Sequence, residues 1–424
     1  MNILTLKENI LNGILNDQFE LLYGETNNST DRYTKACDSF CELFGENRDV
    51  SLFSAPGRTE VGGNHTDHQH GCVFAGSVNL DVIGFASKND ENVIRIKSEG
   101  FPMDTIDLND LSVVDREIGT AASLIRGMAS IFKENGYNIG GFDAYTTSNV
   151  LKGSGLSSSA AFEVLIGIIL DNLYNSGNIS AVDIAKFSQK AENVYFGKPC
   201  GLMDQMASSV GGFISIDFKD VTKPAIKKCE FNLKEHGYSL CIVNTGGNHA
   251  DLTQDYADIT IGDKKVANYF SKDYLSEVSE DEFYNNLKSL REEVGDRAVL
   301  CALHYFDDTK RAKLEAEALL NNDVNAFLKL INESGNSSFK YLQNVYSIHS
   351  PNEQGLSVAL ALTEKFLSGS GACRVHGGGF AGTIQAFVPN DRLNDYKTMI
   401  EAVFGTDSCY VLNIRSVGGY SFKI

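Results

Sequence analysis

Residues 56–71 read PGRTEVGGNHTDHQHG, a short stretch holding Arg58, Glu60, His65, Asp67, His68 and His70. The three histidines stand at spacings of three and two. Imidazoles so spaced can ligate zinc, but a zinc site needs a matched second group of ligands and none follows. Binding of a polar substrate, or plain loop packing, are the other readings. A second stretch, NVLKGSGLSSSAAFEVLIG, runs from a strand pattern through Gly153 and Gly155 into a helix from about Ser158. Its backbone can approach an anion closely, and a helix N-terminus offers unpaired N–H groups and a positive dipole end, so phosphate is the natural guest. Ser157, Ser158 and Ser159 add hydroxyls for phosphate oxygens or a hard cation. No Gly-Lys-Ser/Thr follows, so this is not a Walker A loop, and Ser158 replaces the third glycine of a dinucleotide fingerprint. A serine-capped helix after a glycine turn is the plain alternative. A third stretch, KPCGLMDQMASSVGG, sets Asp204 among small and apolar residues, where a carboxylate is either neutralised by a partner or functional. A fourth, VHGGGFAGTIQAF, has Gly377, Gly379 and Gly382 at dinucleotide spacing, yet a strand pattern follows where that fingerprint needs a helix.

The elements that must position these residues alternate. VNLDVIGFAS, NVIRIKS, GFDAYTT, GGFISIDF and YSLCIVN have the length and β-branched or aromatic content of strands. Between them TAASLIRGMASIFKENG, SSSAAFEVLIGIILDNLYNSG and SAVDIAKFSQKAENVYFG read as helices, the first two stopped by glycine and the last opened by a capping serine. From about Asp251 to Leu367 the chain is mostly helical and heavily charged, as solvated helix faces are. It closes with strand-like RVHGGG and TIQAFV, a helix DRLNDYKTMIEAVFG and a strand near CYVLNIRSV. The pattern predicts an α+β fold with a helical extension over 1–30 and two domains, 31–225 and 226–424.

The 424 residues carry 55 acidic and 37 basic side chains, a net charge of −18. That sign opposes binding to nucleic acid or an anionic membrane, and no apolar run is long enough to span a bilayer. Nine scattered cysteines without a CxxC fit free thiols in a reducing compartment, and the N-terminal stretch lacks the features of a signal peptide. These point to a cytoplasmic protein. Oligomeric state is not legible.

In this order, APGRTEVGGNHTDHQHG, GSGLSSSAA, QKAENVYFGKPCGLMDQMAS and HGGGFAG resemble the motifs of the GHMP small-molecule kinases, and within them of the galactokinases, over roughly residues 35–424. The resemblance implies a two-domain GHMP-kinase-like fold with the active site in the cleft between domains. It implies an ATP-dependent sugar 1-kinase that makes galactose 1-phosphate from D-galactose. In that reading Asp204 takes the proton of the sugar hydroxyl and Arg58 stabilises charge on the phosphoryl group. Asn64, His65, Asp67, Gly201 and Tyr256 match positions near the hexose. Gly153, Gly155, Ser157, Ser158 and Ser159 cradle the ATP phosphates, and Ser159 with Glu192 holds Mg²⁺. Arg126 and Gly127 resemble a basic residue and glycine on the nucleotide side.

Four positions depart from the galactokinase pattern: Asn64 in place of glutamate, Glu60 of asparagine, His68 of tyrosine and Leu151 of proline. An uncharged Asn64 against the sugar would repel a sugar carboxylate less, which makes galacturonate an alternative substrate beside galactose. Arabinose, and a non-catalytic sensor of galactose and ATP, are further alternatives. Glu60 is expected to pair with Arg58 or face water.

Overall fold

The computed structural model describes every residue except 25, 27, 151–154 and 248–251. Gly153 and Leu151 lie outside the described residues. The chain opens with helices α1 (Ile3–Leu11), α2 (Asn16–Tyr23) and α3 (Ser29–Phe44), then enters the long strands β1 (Ser51–Gly62) and β2 (Cys72–Lys88). β3 (Val93–Ser98), β4 (Met103–Asp107), β5 (Phe142–Ser148), β6 (Phe213–Asp217) and β7 (Ala225–Cys229) complete most of the first sheet. Its order is β12-β1-β2-β5-β3-β4, with β6 and β7 branching from β2; β12 is Tyr420–Ser421, from the far end of the chain. β2 can serve two neighbours because of its length: Cys72–Gly76 pairs with β6, and Val82–Lys88 pairs with β5.

β1 and β2 are buried along most of their length, and the apolar runs CVFAG and VIGFA in β2 fit a strand covered on both faces. On one side lie α4 (Ala121–Glu134), α5 (Ser158–Asn175), α6 (Ala181–Ala191) and α7 (Met203–Val210). Ser180 caps α6, its hydroxyl accepting from the Asp183 N–H at 3.1 Å, as the sequence predicts. On the other side the apolar faces of α1 to α3 are buried: Leu6, Phe19, Tyr33 and Phe40 form one cluster with Leu52, Phe85 and Phe422.

The middle of the chain is helical, as expected, through α8 (Thr253–Tyr269), α9 (Glu280–Asn285), α10 (Leu287–Glu293), α11 (Asp296–Leu320), α12 (Val324–Ser337) and α13 (Gly355–Leu367). A second, antiparallel sheet follows in the order β11-β8-β10-β9, built from β8 (Tyr238–Asn244), β9 (Ala372–Val375), β10 (Thr383–Pro389) and β11 (Cys409–Leu412). α14 (Leu393–Phe404) joins its last two strands. The two sheets meet in a shared core in which Phe327 of α12 touches both Phe74 of β2 and Phe387 of β10.

The α+β class is therefore observed. Residue 31 lies inside α3, and residue 226 lies inside β7, which stays in the first sheet through β6. β12 carries the C-terminal segment back onto β1. All nine cysteines are free thiols, and among the described residues no helix is long and apolar enough to cross a membrane.

Candidate active site

Arg58 is part of β1, at an irregularity. The β1–β2 register shifts between Pro56 and Arg58 and again between Glu60 and Gly62. Bulges of this kind re-aim side chains and accommodate a strand proline. The Arg58 N–H leaves the β2 ladder and donates to the Leu156 carbonyl at 3.0 Å, which stitches β1 to the glycine-rich loop. The Arg58 guanidinium, 7% exposed, then points to Asp204: Nε and Nη2 lie 2.7 and 2.6 Å from Oδ1. Its Nη1 donates to the Gly155 carbonyl, and the Ser157 hydroxyl donates to Asp204 Oδ2. Asp204 stands in the first turn of α7, where the helix dipole favours a carboxylate, and keeps 29% of its side chain exposed.

Ser157 precedes α5 with φ 58° and ψ 65°, a left-handed conformation that non-glycine residues adopt at some cost. Ser158 opens the helix, as predicted, and Ser159 follows with its hydroxyl 3.4 Å from Glu192 Oε1. Glu192 sits where α6 gives way to one π-helical turn, Glu192–Phe196, an irregularity that frequently marks functional positions. Its other oxygen accepts from Gln205 Nε2 at 2.7 Å, and Lys198 Nζ lies 3.2 Å from Oε1. Gln205 also donates to Glu163 Oε2 at 3.2 Å. Burial, and then the nearby Glu192, push the Glu163 carboxyl well above its ordinary value.

The Ser159 hydroxyl at the start of α5 and the Glu192 carboxylate beside it are a hard, oxygen-only donor pair. Such a pair fits Mg²⁺, which takes few protein ligands and completes its shell with phosphates and water. Among the described residues no group of three or more His, Cys, Asp or Glu could hold a metal, so the zinc reading of His65, His68 and His70 is not supported.

The segment after β1 carries His65, Asp67 and His68. His65 has φ 58°, its Nε2–H donates to the Gly378 carbonyl at 2.8 Å, and its ring stacks on Tyr256 at 6.3 Å between centroids. Burial first, and the neighbouring His68 second, lower His65 to about 4, so the ring is neutral near pH 7 and Nδ1 is its acceptor. Asp67 opens a short 3-10 turn against Gly201: a Cβ built on that glycine would lie 2.1 Å from Asp67 Oδ2. Burial works to raise the Asp67 carboxyl, but His68 outweighs it and holds the group below its ordinary value. The Tyr256 hydroxyl donates to the Gly379 carbonyl at 3.1 Å, so tyrosine, histidine and the third glycine cluster form one wall. A Cβ on Gly379 would meet the Asn344 carbonyl at 2.1 Å, which explains a glycine there.

Two sequence expectations are corrected. Asn64 is fully buried and faces no cleft. Its Nδ2 donates to Glu60 Oε1 and the Gly377 carbonyl, both at 2.7 Å, and its Oδ1 accepts from Asn344 Nδ2 at 2.8 Å and from the Ser338 hydroxyl at 3.3 Å. With every donor and acceptor committed to protein, it is a tie between β1 and the third glycine cluster rather than a sugar contact. Glu60 meets neither Arg58 nor water: it is 5% exposed and pairs with buried Arg374 at 3.0 Å. Burial pushes Glu60 up to about 7 against the pull of that arginine. Arg126 likewise is committed, with Nε and Nη2 2.7 and 2.8 Å from the Glu117 carboxylate oxygens.

Sequence reading missed Glu163 and Gln205 beside Glu192, and Asp263 of α8, whose Oδ2 lies 3.2 Å from His68 Nε2. Gln205 was adjacent to Asp204 in the quoted motif; the other two had no signal beyond being acids within helices.

Comparison with known proteins bears on this arrangement. A family model described as the galactokinase galactose-binding signature matches residues 38–88, and one for the GHMP kinase N-terminal domain matches 123–212. Galactokinase of Clostridium tetani is 30% identical over 367 residues, 85% of this chain and 89% of that protein. Galactokinase of Lactococcus lactis is 28% identical over 376 residues, 87% and 90% of the two chains. The crystal structure of Lactococcus lactis galactokinase complexed with galactose superposes with a TM-score of 0.77 at 26% identity, covering 91% of this chain and 98% of that one. A mevalonate kinase structure, 14% identical with a TM-score of 0.59 over 86% of this chain and 98% of its own, shares the fold. On these matches the chain belongs to the galactokinase family of the GHMP kinases.

Proposed function

We propose that the protein transfers the γ-phosphoryl group of ATP to the anomeric hydroxyl of D-galactose, with Asp204 as base. The observation that carries this is the Arg58–Asp204 pair between the phosphate loop and the Asp67–Gly201 contact. Arg58 engages Asp204 Oδ1 and fixes the plane of the carboxylate. Oδ2 is then the oxygen that takes the proton as the sugar oxygen attacks phosphorus and ADP leaves, with Ser157 turning to the phosphates. Asp67 and the neutral His65 would accept and orient the sugar hydroxyls, with Tyr256 as a ring face. Gly155, Ser157, Ser158 and the N-terminus of α5 would bind phosphate oxygens, and Gly153 would belong to the same loop. Ser159 and Glu192 would hold Mg²⁺, which neutralises phosphate charge; Lys198 would yield the carboxylate to it. Positioning and charge stabilisation of this kind are what phosphoryl transfer requires.

Galactose is preferred over galacturonate because Asn64, the uncharged side chain that would have tolerated a sugar carboxylate, is committed to Glu60, Gly377, Asn344 and Ser338. A cytoplasmic setting is part of this reading, since nine scattered free thiols suit a reducing compartment. The test is incubation with MgATP and galactose, galacturonate or arabinose in turn, followed by phosphorus NMR, with Asp204→Asn as control. Expected is an anomeric phosphate from galactose, its rate lowered roughly a hundredfold or more by the substitution. Turnover of galacturonate in preference to galactose would overturn the substrate, and full activity in Asp204→Asn would overturn the base.

A further inference from the structure

We infer that His68 is a positioning residue for the sugar loop, holding Asp67 in place by standing between that carboxylate and Asp263 of α8. The inference rests on the proposed place of Asp67 in the galactose pocket. His68 Nε2 lies 3.2 Å from Asp263 Oδ2, and Nδ1 lies 3.8 Å from Asp67 Oδ1. The first is a hydrogen bond and the second an ion-pair separation; an imidazolium carries charge to both carboxylates at once, which a tyrosine at this position could not do. Asp263 is 1% exposed and its Oδ1 makes no hydrogen bond among the described residues. A buried carboxylate of that kind needs a cation, and His68 supplies it at hydrogen-bond range.

The loop is braced at two points of one helix. Tyr256 and Asp263 are seven residues apart, two turns of α8, so both face the loop: one stacks on His65, the other meets His68. The charged groups around His68 are Asp67 and His65 on its own loop and Asp263 on α8, with Arg297 and His304 of α11 acting on Asp263 from behind. Burial works to lower the His68 ring, but the two carboxylates outweigh it and raise it to about 9. The bridge is therefore intact at neutral pH and is lost as pH rises through that value, which frees Asp67 and weakens sugar binding while leaving the phosphate loop alone.

The test measures galactose affinity by calorimetry without ATP, and KM for each substrate from about pH 6 to about pH 10, on the full chain. In His68→Gln, galactose affinity is expected to fall roughly tenfold, as loss of one charge-assisted contact predicts, with kcat and the KM for MgATP within about twofold. The alkaline rise in galactose KM should vanish in His68→Gln and move to lower pH in Asp263→Asn. Wild-type galactose affinity in His68→Gln, or an equal loss in kcat and in the KM for MgATP, overturns the inference. Should His68→Gln fail to fold, an alkaline rise that does not move in Asp263→Asn overturns it instead. Asp67→Asn separates the two readings: unchanged galactose affinity there removes Asp67 from the pocket, whereas a loss there without one in His68→Gln removes only His68.

Discussion

Asn64 and Glu60 are the residues whose meaning changes most between sequence and structure. Both sit at the family's sugar motif, yet their side chains turn inward to a buried network with Arg374, Asn344 and the Gly377 carbonyl. Asn64→Ala would leave these groups without partners, so it is expected to destabilise the protein by about 2–4 kcal/mol. Denaturant unfolding measures this, and the KM for galactose should change less than about threefold; a large KM effect with normal stability would return Asn64 to the pocket. Gly201 gives the opposite case. A methyl group there would collide with Asp67 Oδ2, so Gly201→Ala should raise the KM for galactose at least about tenfold with little effect on that for MgATP. Equal KM values for galactose in the two proteins would show that Asp67 has room to move aside.

Among the elements, three irregularities assemble the site: the bulge in β1 that aims Arg58, the left-handed Ser157 before α5, and the π-helical turn that carries Glu192. Each breaks a regular pattern at a residue proposed to meet a ligand, and each is invisible to periodicity, which reports regular elements alone. The start of α5 was legible because glycines followed by serines have a local physical meaning. If Ser159 and Glu192 share the cation, Ser159→Ala should raise the Mg²⁺ concentration for half-maximal rate about tenfold at fixed ATP. Added Mg²⁺ should restore most of the rate. A loss that Mg²⁺ cannot restore would assign Ser159 to the helix start alone.

On the scale of the whole molecule, the two ends of the chain are fastened together through Asp81. This fully buried carboxylate accepts from Arg32 of α3 at 2.5 Å, from the Tyr23 hydroxyl of α2 at 2.6 Å and from Arg415 of the C-terminal segment at 3.3 Å. Burial works to raise its titration, and the two arginines outweigh that and lower it. A depressed carboxyl stabilises the fold above its unfolded value, and that stability is lost as pH falls through the folded value. Asp81→Asn, which leaves Arg415 buried without its counter-charge, should cost about 3–5 kcal/mol near pH 7. The difference should begin to narrow below the ordinary carboxyl value of about 4 and close only as pH falls through the lower value of the folded carboxyl. Chemical unfolding at the two pH values checks both; a gap independent of pH would mean that Asp81 contributes by shape rather than charge.

The sequence by itself determined the α+β class, most strands and helices and the glycine–serine turn into α5, and a family resemblance pointed to Arg58 and Asp204 as parts of one site. Those follow from local causes: period, capping, glycine turns and motif order. Only the tertiary structure decided that Asn64 faces inward, that Glu60 meets Arg374, that Asp263 meets His68, and that β12 returns to β1. The partners in these cases lie far apart in the chain. Which polar group is buried beside which is set by packing between elements, and no local pattern encodes it.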